Sequence, residues 1–230
     1  MARTQSLPTA AVIVFAVALC AFVKPACADM QTYKYAVEHP TFGHIGTYTN
    51  IVEQSGDRTH VESVLHVAIR LLGFVIYRQD ATRSEDWRGG RLISFHGVTT
   101  TNGDSIEVTG KARGNAFVIT TPNGTTVAPA NVRPSNPWSR GVLNAHVMMS
   151  TKTGKIENVR ISGGGETPMT FDGQTRLLHQ YLIDGEKRGV VWLDDRGVPV
   201  AFQVWEQGTP IELVLMSPAV PPPQTAMGLH

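Results

Sequence analysis

Eight histidines are the first residues in this 230-residue sequence that could carry chemistry, since imidazole is the commonest metal ligand. Ligating histidines converge through short spacings such as H-x-H or H-E-x-x-H, and neither occurs here. His39 and His44 flank "PTFG" and can approach each other across a turn. His60 and His66 share a strand face, but six extended residues separate them by about 20 Å. Hydrogen-bonded or solvated imidazoles are therefore expected, with no metal site and no cofactor. Nucleophilic catalysis has no better footing. A reactive serine needs a strained turn or an adjacent base, and neither G-x-S-x-G nor, after residue 28, S-x-x-K is present. "SGGGE" (162–166) lacks the Gly-Lys-Ser/Thr ending of a phosphate loop and continues into Thr167-Pro168, so it is expected to be a flexible connector. Glu85-Asp86 and Asp194-Asp195 are adjacent carboxylates. Neighbouring strand residues point to opposite faces, so neither pair can share a proton. Asp194 or Asp195 is expected to nucleate its turn through its side chain.

The bulk properties narrow the class. A formal charge of +1 lacks the basic footprint of a nucleic-acid binder, and 42% hydrophobic residues suffice for a core. The first thirty residues contain Arg3, an apolar run "AAVIVFAVALCAFV" and "ACA" before Asp29, the pattern of a cleaved secretory leader. The run is shorter than the roughly 18–20 residues of a membrane span. Cys20 and Cys27 fit a lipidation box poorly, Leu19 preceding the first and Lys24 lying three places before the second. The expectation is a leader over residues 1–28, no stable membrane span after its removal, and a periplasmic or secreted protein. Both cysteines lie in that segment, so residues 29–230 contain no thiol.

Those residues must be positioned by a sheet. Turn signals recur about every ten residues: "EQSGDR" (53–58), "RGG" (88–90), "TNGD" (101–104), "ARGN" (112–115), "TPNG" (121–124), "DGEK" (184–187), "DDRG" (194–197) and "EQGT" (206–209). Between them apolar residues alternate, as in Val61, Leu65, Val67 and Ile69 against His60, Glu62, His66 and Arg70. Ile106 and Val108, then Val198 to Val204, then Ile211 to Leu215, do the same. "LLGFVIY" (71–77) is apolar on both faces and is expected to be a central or helix-covered strand. One stretch breaks the rhythm. "SNPWSRGVLNAHVMMS" (135–150) predicts a helix, with Asn136 as N-cap, Pro137 at the first position, and Trp138, Val142, Ala145 and Met149 on one face. The Pro-rich tail, 217–230, is expected to be disordered. The predicted fold class is all-β with one helix: residues 29–216 form a strongly curved antiparallel sheet, a half-barrel of about ten strands wrapped around a single helix.

Several of these motifs occur together in "GHIG", "EDWRGGRLISF", "NGDSIEVTGKARG", "NPW", Thr153-Gly154 and "VWLDDRGVPVAFQV". In that order they resemble the exported bacterial domain-of-unknown-function family 6134, which is distantly similar to periplasmic half-barrels such as the lipoprotein carriers LolA and LolB. The resemblance implies a fold and a compartment but no reaction. It leads to the first expectation, a non-enzymatic protein holding an apolar or lipid-like ligand in its half-barrel. Trp138, Leu143, Met148, Phe202 and Trp192 are the expected lining. An envelope structural or interaction module with a filled core and an envelope protein partner is the alternative, and a hydrolase of an envelope substrate the third.

Overall fold

The computed structural model describes residues 29–171, 174–186 and 188–216. The expected leader and the Pro-rich tail lie outside the described residues. From Asp29 the chain runs as an antiparallel meander of eight strands: β1 (Asp29–His39), β2 (Gly43–Ser55), β3 (Arg58–Leu71), β4 (Phe74–Arg88), β5 (Arg91–Thr101), β6 (Asp104–Arg113), β7 (Ala116–Thr121) and β8 (Gly124–Pro129). It then leaves the sheet for thirty residues, 130–159. This segment contains β9 (Arg133–Pro134), a 3-10 turn (Arg140–Asn144), β10 (Val147–Met149) and β11 (Ile156–Asn158). A second meander follows: β12 (Arg160–Phe171), β13 (Gln174–Asp184), β14 (Gly189–Leu193), β15 (Pro199–Glu206) and β16 (Thr209–Leu215).

The two meanders join where β16 pairs with β1, Tyr35 opposite Leu215. The result is one sheet of 13 strands, in the order β12 to β16 and then β1 to β8. β12 and β8 are its edges and do not pair with each other, so the sheet is open. Segment 130–159 connects those edges and forms its own three-stranded sheet, with β10 parallel to β9 and antiparallel to β11.

The turns follow from local chemistry. All eight anticipated turn motifs fall between paired strands. Gly89 and Gly90, at φ of 54° and 76°, make the tight connection that a twisted hairpin demands. Alternation holds as well: Val61 and Val67 are buried while Glu62 and His66 are exposed.

Four expectations are corrected. The sheet has 13 strands and is open, where about ten in a half-barrel were expected. The helix over 135–150 is replaced by a five-residue 3-10 turn capped by Ser139, and residues 147–149 are a strand. Asn136 does not cap it, because its side chain is drawn to distant partners described below. "SGGGE" is no connector but part of β12, with a bulge between Gly163 and Gly165. "LLGFVIY" is not central: it forms the exposed tip of the β3–β4 hairpin, with Gly73 at φ 86° in the turn. Apolar residues on both faces read alike whether a strand is buried on two sides or exposed on two.

One apolar cluster occupies the inner face. It takes Tyr35 and Val37 from β1, Val61 from β3, Phe95 from β5, Phe117 and Ile119 from β7, and Val191 and Phe202 from β14 and β15. Val132, Val142, Ala145, Met148, Met149 and Val159 belong to the same cluster. Strands so far apart in the sheet can share one core only if the sheet curls around segment 130–159, which therefore acts as a plug. Gly154 seats one end of it. A Cβ there would lie 2.6 Å from Thr121 Cγ2 and 3.1 Å from Ile119 Cγ2, and φ is 71°. Gly154→Ala therefore combines a left-handed backbone with a collision, whereas Gly56→Ala, at φ 59° with open space around it, meets only the backbone penalty. In urea unfolding, Gly56→Ala is expected to cost about 1 kcal/mol and Gly154→Ala clearly more, about 2–3 kcal/mol.

Candidate functional site

Strand β4 alternates so that Arg83, Glu85 and Trp87 point inward while Ser84 and Asp86 point outward. Glu85 is fully buried, at 0% exposure. Three N–H groups converge on its carboxylate. Asn136 Nδ2 donates to Oε1 at 2.9 Å, and Trp138 Nε1 and Trp87 Nε1 each donate to Oε2 at 2.9 Å. The two indoles meet edge to face, with centroids 5.8 Å apart. Asn136 is itself saturated. It accepts from Tyr48 Oη at 2.6 Å and donates to Ser63 Oγ at 3.0 Å, while Ser63 Oγ donates to Asn50 Oδ1 at 2.7 Å. Arg133 lies over the Trp87 ring, 5.1 Å from its centroid. The "NPW" of the plug and the "EDW" of β4 are thus two halves of one clasp.

Burial pushes the Glu85 carboxyl above its ordinary value, against the pull of Asn136, Trp138, Trp87 and the Arg83 charge. A carboxyl with a raised pKa is the usual form of a general acid. Here both oxygens are engaged and none of the side chain is exposed, so no substrate atom can approach. The clasp holds structure rather than performing a reaction.

The outer face carries a different pattern. Five of the eight histidines pair with acids: His44 with Glu38, His60 with Asp86, His66 with Asp80, His96 with Glu107 and His179 with Asp195. His60, Asp86 and Ser94 fall directly opposite one another across β3, β4 and β5. His60 Nδ1 is 2.7 Å from Asp86 Oδ1, and Ser94 Oγ donates to Asp86 Oδ2 at 2.5 Å. This is not a triad, because the carboxylate lies between hydroxyl and imidazole and no base faces the serine. Bonds from Ser94 and His60 hold Asp86 below the usual carboxylate range. Burial lowers the His60 pKa, but its bonds to Asp86 and Glu62 outweigh that and raise it. Asp194 nucleates its turn as anticipated, accepting from the backbone N–H of Arg196 and Val198. Among the described residues no three His, Cys, Asp or Glu side chains gather as metal ligands.

The family model described as Domain of unknown function (DUF6134) matches residues 43–216. The chain belongs to that family. Comparison with curated proteins found no match. Among solved structures, the DUF6134 chain is similar to a "Beta-barrel-like Protein of Domain of Unknown Function DUF1849 from Brucella abortus", at 7% identity. The match has a TM-score of 0.60 and covers 83% of this chain and 96% of that one. At that identity the likeness shows fold alone.

Of the five candidate lining residues, the DUF6134 fold brings four to one core. Met148 and Phe202 are buried in the inner cluster, and Trp138 and Leu143 pack against it. Trp192 belongs to a second cluster with Leu178, Val190, Val200 and Ala201. A bulge between Trp192 and Leu193 shifts the register of β14 there. Two open depressions lie elsewhere. One of about 320 Å³ runs over Ser94, His96, Thr109 and Lys111, the other of about 360 Å³ beside Gly90, Val132 and Arg133. Sequence reasoning weighed Glu85 only as half of the Glu85-Asp86 pair and missed its place in the clasp. The signal available was the repeated acid-x-Trp and Asn-x-Trp spacing, which puts both members of each pair on one face of an extended chain.

Replacing Glu85 with glutamine puts an NH2 group against N–H donors. Glu85→Gln is expected to lower the unfolding free energy by about 1–3 kcal/mol and to diminish the near-UV circular dichroism of the Trp87–Trp138 pair. Its pH dependence provides a second check. Because the folded carboxyl binds its proton more tightly than the unfolded one, its contribution is complete below the ordinary glutamate value of 4.5 and is lost as pH rises through the raised folded value. Urea unfolding across that range should show a flatter decline for Glu85→Gln than for the unsubstituted protein.

Proposed function

We propose that this DUF6134 protein is an exported envelope module that acts through its outer surface, its inner face being occupied by its own plug. The observation carrying this reading is the clasp. Residues 136–138 are tied to a buried carboxylate, and Met148 and Met149, both from the plug, are 4% and 0% exposed within the sheet's core. The leader pattern in residues 1–28 and the absence of thiols from the rest of the chain support export. Among the described residues no helix is long and apolar enough to cross a membrane.

An apolar ligand in the inner face is the alternative. It requires the plug to withdraw, which would strand the Glu85 carboxylate without its Asn136 and Trp138 partners. Truncating a buried charge's partners typically costs about 3–5 kcal/mol, and a ligand would have to supply that before it bound at all. The resemblance to lipoprotein carriers expected from the sequence is one of architecture alone and would bring no cargo with it.

Native mass spectrometry of the protein isolated from its own envelope tests the proposal in one measurement. The expected species begins at Asp29 and carries no bound lipid. Retention of residues 1–28, or a stoichiometric lipid that leaves only on unfolding, would contradict it.

A further inference from the structure

The β3–β4 hairpin outruns the rest of the sheet. β2 last pairs with β3 at Val67, opposite Gly46, and β5 last pairs with β4 at Gln79, opposite Thr101. Residues 68–77 therefore extend past the last pairs with both neighbours, and the four residues beyond Val67, as far as Leu71, alone span roughly 13 Å. Beyond that point the hairpin pairs only with itself, Arg70 with Val75 and Leu71 with Phe74.

The projecting end is apolar. Leu72 is 90% exposed and Phe74 76%, while Leu71, Val75 and Ile76 are each 51% exposed. The eight turn motifs named above are built mainly from Gly, Asn, Asp, Arg and other polar residues. No acidic residue occurs between Glu62 and Asp80. Arg70 and Arg78, both exposed, sit at the base of the apolar tip. Tyr77 stands beside them, half-buried, its hydroxyl donating to Gln79 at 2.6 Å. The β1–β2 turn lies at the same end of the sheet and exposes Phe42.

We propose that this tip is a membrane-docking site: Leu71, Leu72, Phe74, Val75 and Ile76 enter the surface of a phospholipid bilayer, and Arg70 and Arg78 meet anionic headgroups. Two features favour a bilayer over a protein groove. The tip is apolar on both faces and at its turn, so a partner must surround it rather than cover one side. It is also ringed in the order that a membrane interface demands, apolar first, then an amphipathic aromatic, then cations. Insertion is shallow. Above Val67 on one edge and Arg78 on the other, where Asn102 bonds the Arg78 N–H and C=O, the outer edges have no partner strand for their backbone polar groups, which the hydrocarbon interior does not tolerate. The inference takes its setting from the envelope placement proposed above, but its test does not.

Purified protein is sedimented with vesicles of phosphatidylethanolamine and phosphatidylglycerol, and separately with phosphatidylcholine alone. Binding is expected to the anionic vesicles. Leu72→Ser combined with Phe74→Ser should weaken it by about tenfold or more, and Leu72→Ser alone should weaken it measurably. Arg70→Gln with Arg78→Gln should weaken binding to anionic vesicles only. Val127→Ser, at another exposed apolar residue, should leave it unchanged, and all these variants should keep the unsubstituted melting midpoint. An unsubstituted protein that stays in the supernatant overturns the proposal, as does a tip variant that sediments like it. Capture of an envelope protein through the tip without vesicle binding also overturns it, in favour of protein docking. None of these results depends on where the cell places the chain, so failure here leaves the mass-spectrometric test of export standing.

Discussion

A carboxylate with no access to water is tolerable only if nearly all of its lone pairs are satisfied, and Glu85 meets that condition through residues brought from two regions of the chain. Trp87 is two residues away on the same strand face. Asn136 and Trp138 come from the plug, some fifty residues later, and have to be in place before the charge can be buried at all. This reciprocity couples the two parts. The sheet cannot close its core without the plug, and the plug cannot take another position without depriving Glu85 of two of its three donors. Asn136 carries the constraint further, through Tyr48 on β2 and Ser63 on β3, so that three adjacent strands hold one asparagine.

The same constraint accounts for how an open sheet of this length is stable. A 13-stranded sheet with two free edges has a large inner face and no partner strand to close it. Segment 130–159 runs from one edge, β8, to the other, β12, and in crossing fills the inner face with Val132, Val142, Met148 and Met149. The aromatic group of Tyr35, Tyr48 and Phe202 packs beside it, with Tyr35 and Phe202 rings 5.0 Å apart and edge to face. Residues 29–230 contain no cysteine, so the core stands without disulfides. The outer face carries cross-strand pairs of histidine and acid, which solvate the sheet.

The strands were legible in the sequence because their determinants are local. Glycines at positive φ and period-two alternation act within a few residues, and every anticipated turn lies at a hairpin. What escaped was set by distance. Asn136-Pro137 has the form of a helix start, yet Tyr48, Ser63 and Glu85, each at least fifty positions away, claim the asparagine side chain and leave Ser139 to cap a short turn. Glu85 itself looked like half of an ordinary acidic pair, because nothing in "SEDWR" states which face of the strand will be sealed. "LLGFVIY" failed for a different reason, since its pattern lacks the polar face by which solvent exposure is normally recognised. Trp192 was grouped with the inner lining by residue type, while the pairing register sets it opposite Ala201 and sets Val191 opposite Phe202, so that Trp192 and Phe202 lie on opposite faces.

The central claim is that the plug is an integral part of the folded core and not a lid. Native-state hydrogen exchange measures this directly, through the backbone amides bonded within the plug: Ser135 to Met149, Val159 to His146 and Gly154 to Ser150. These amides should exchange as slowly as those in the centre of β2, β3 and β4, through the same cooperative unfolding. Plug amides that exchange orders of magnitude faster, while the central strands stay protected, would contradict the account and show an inner face that opens on its own.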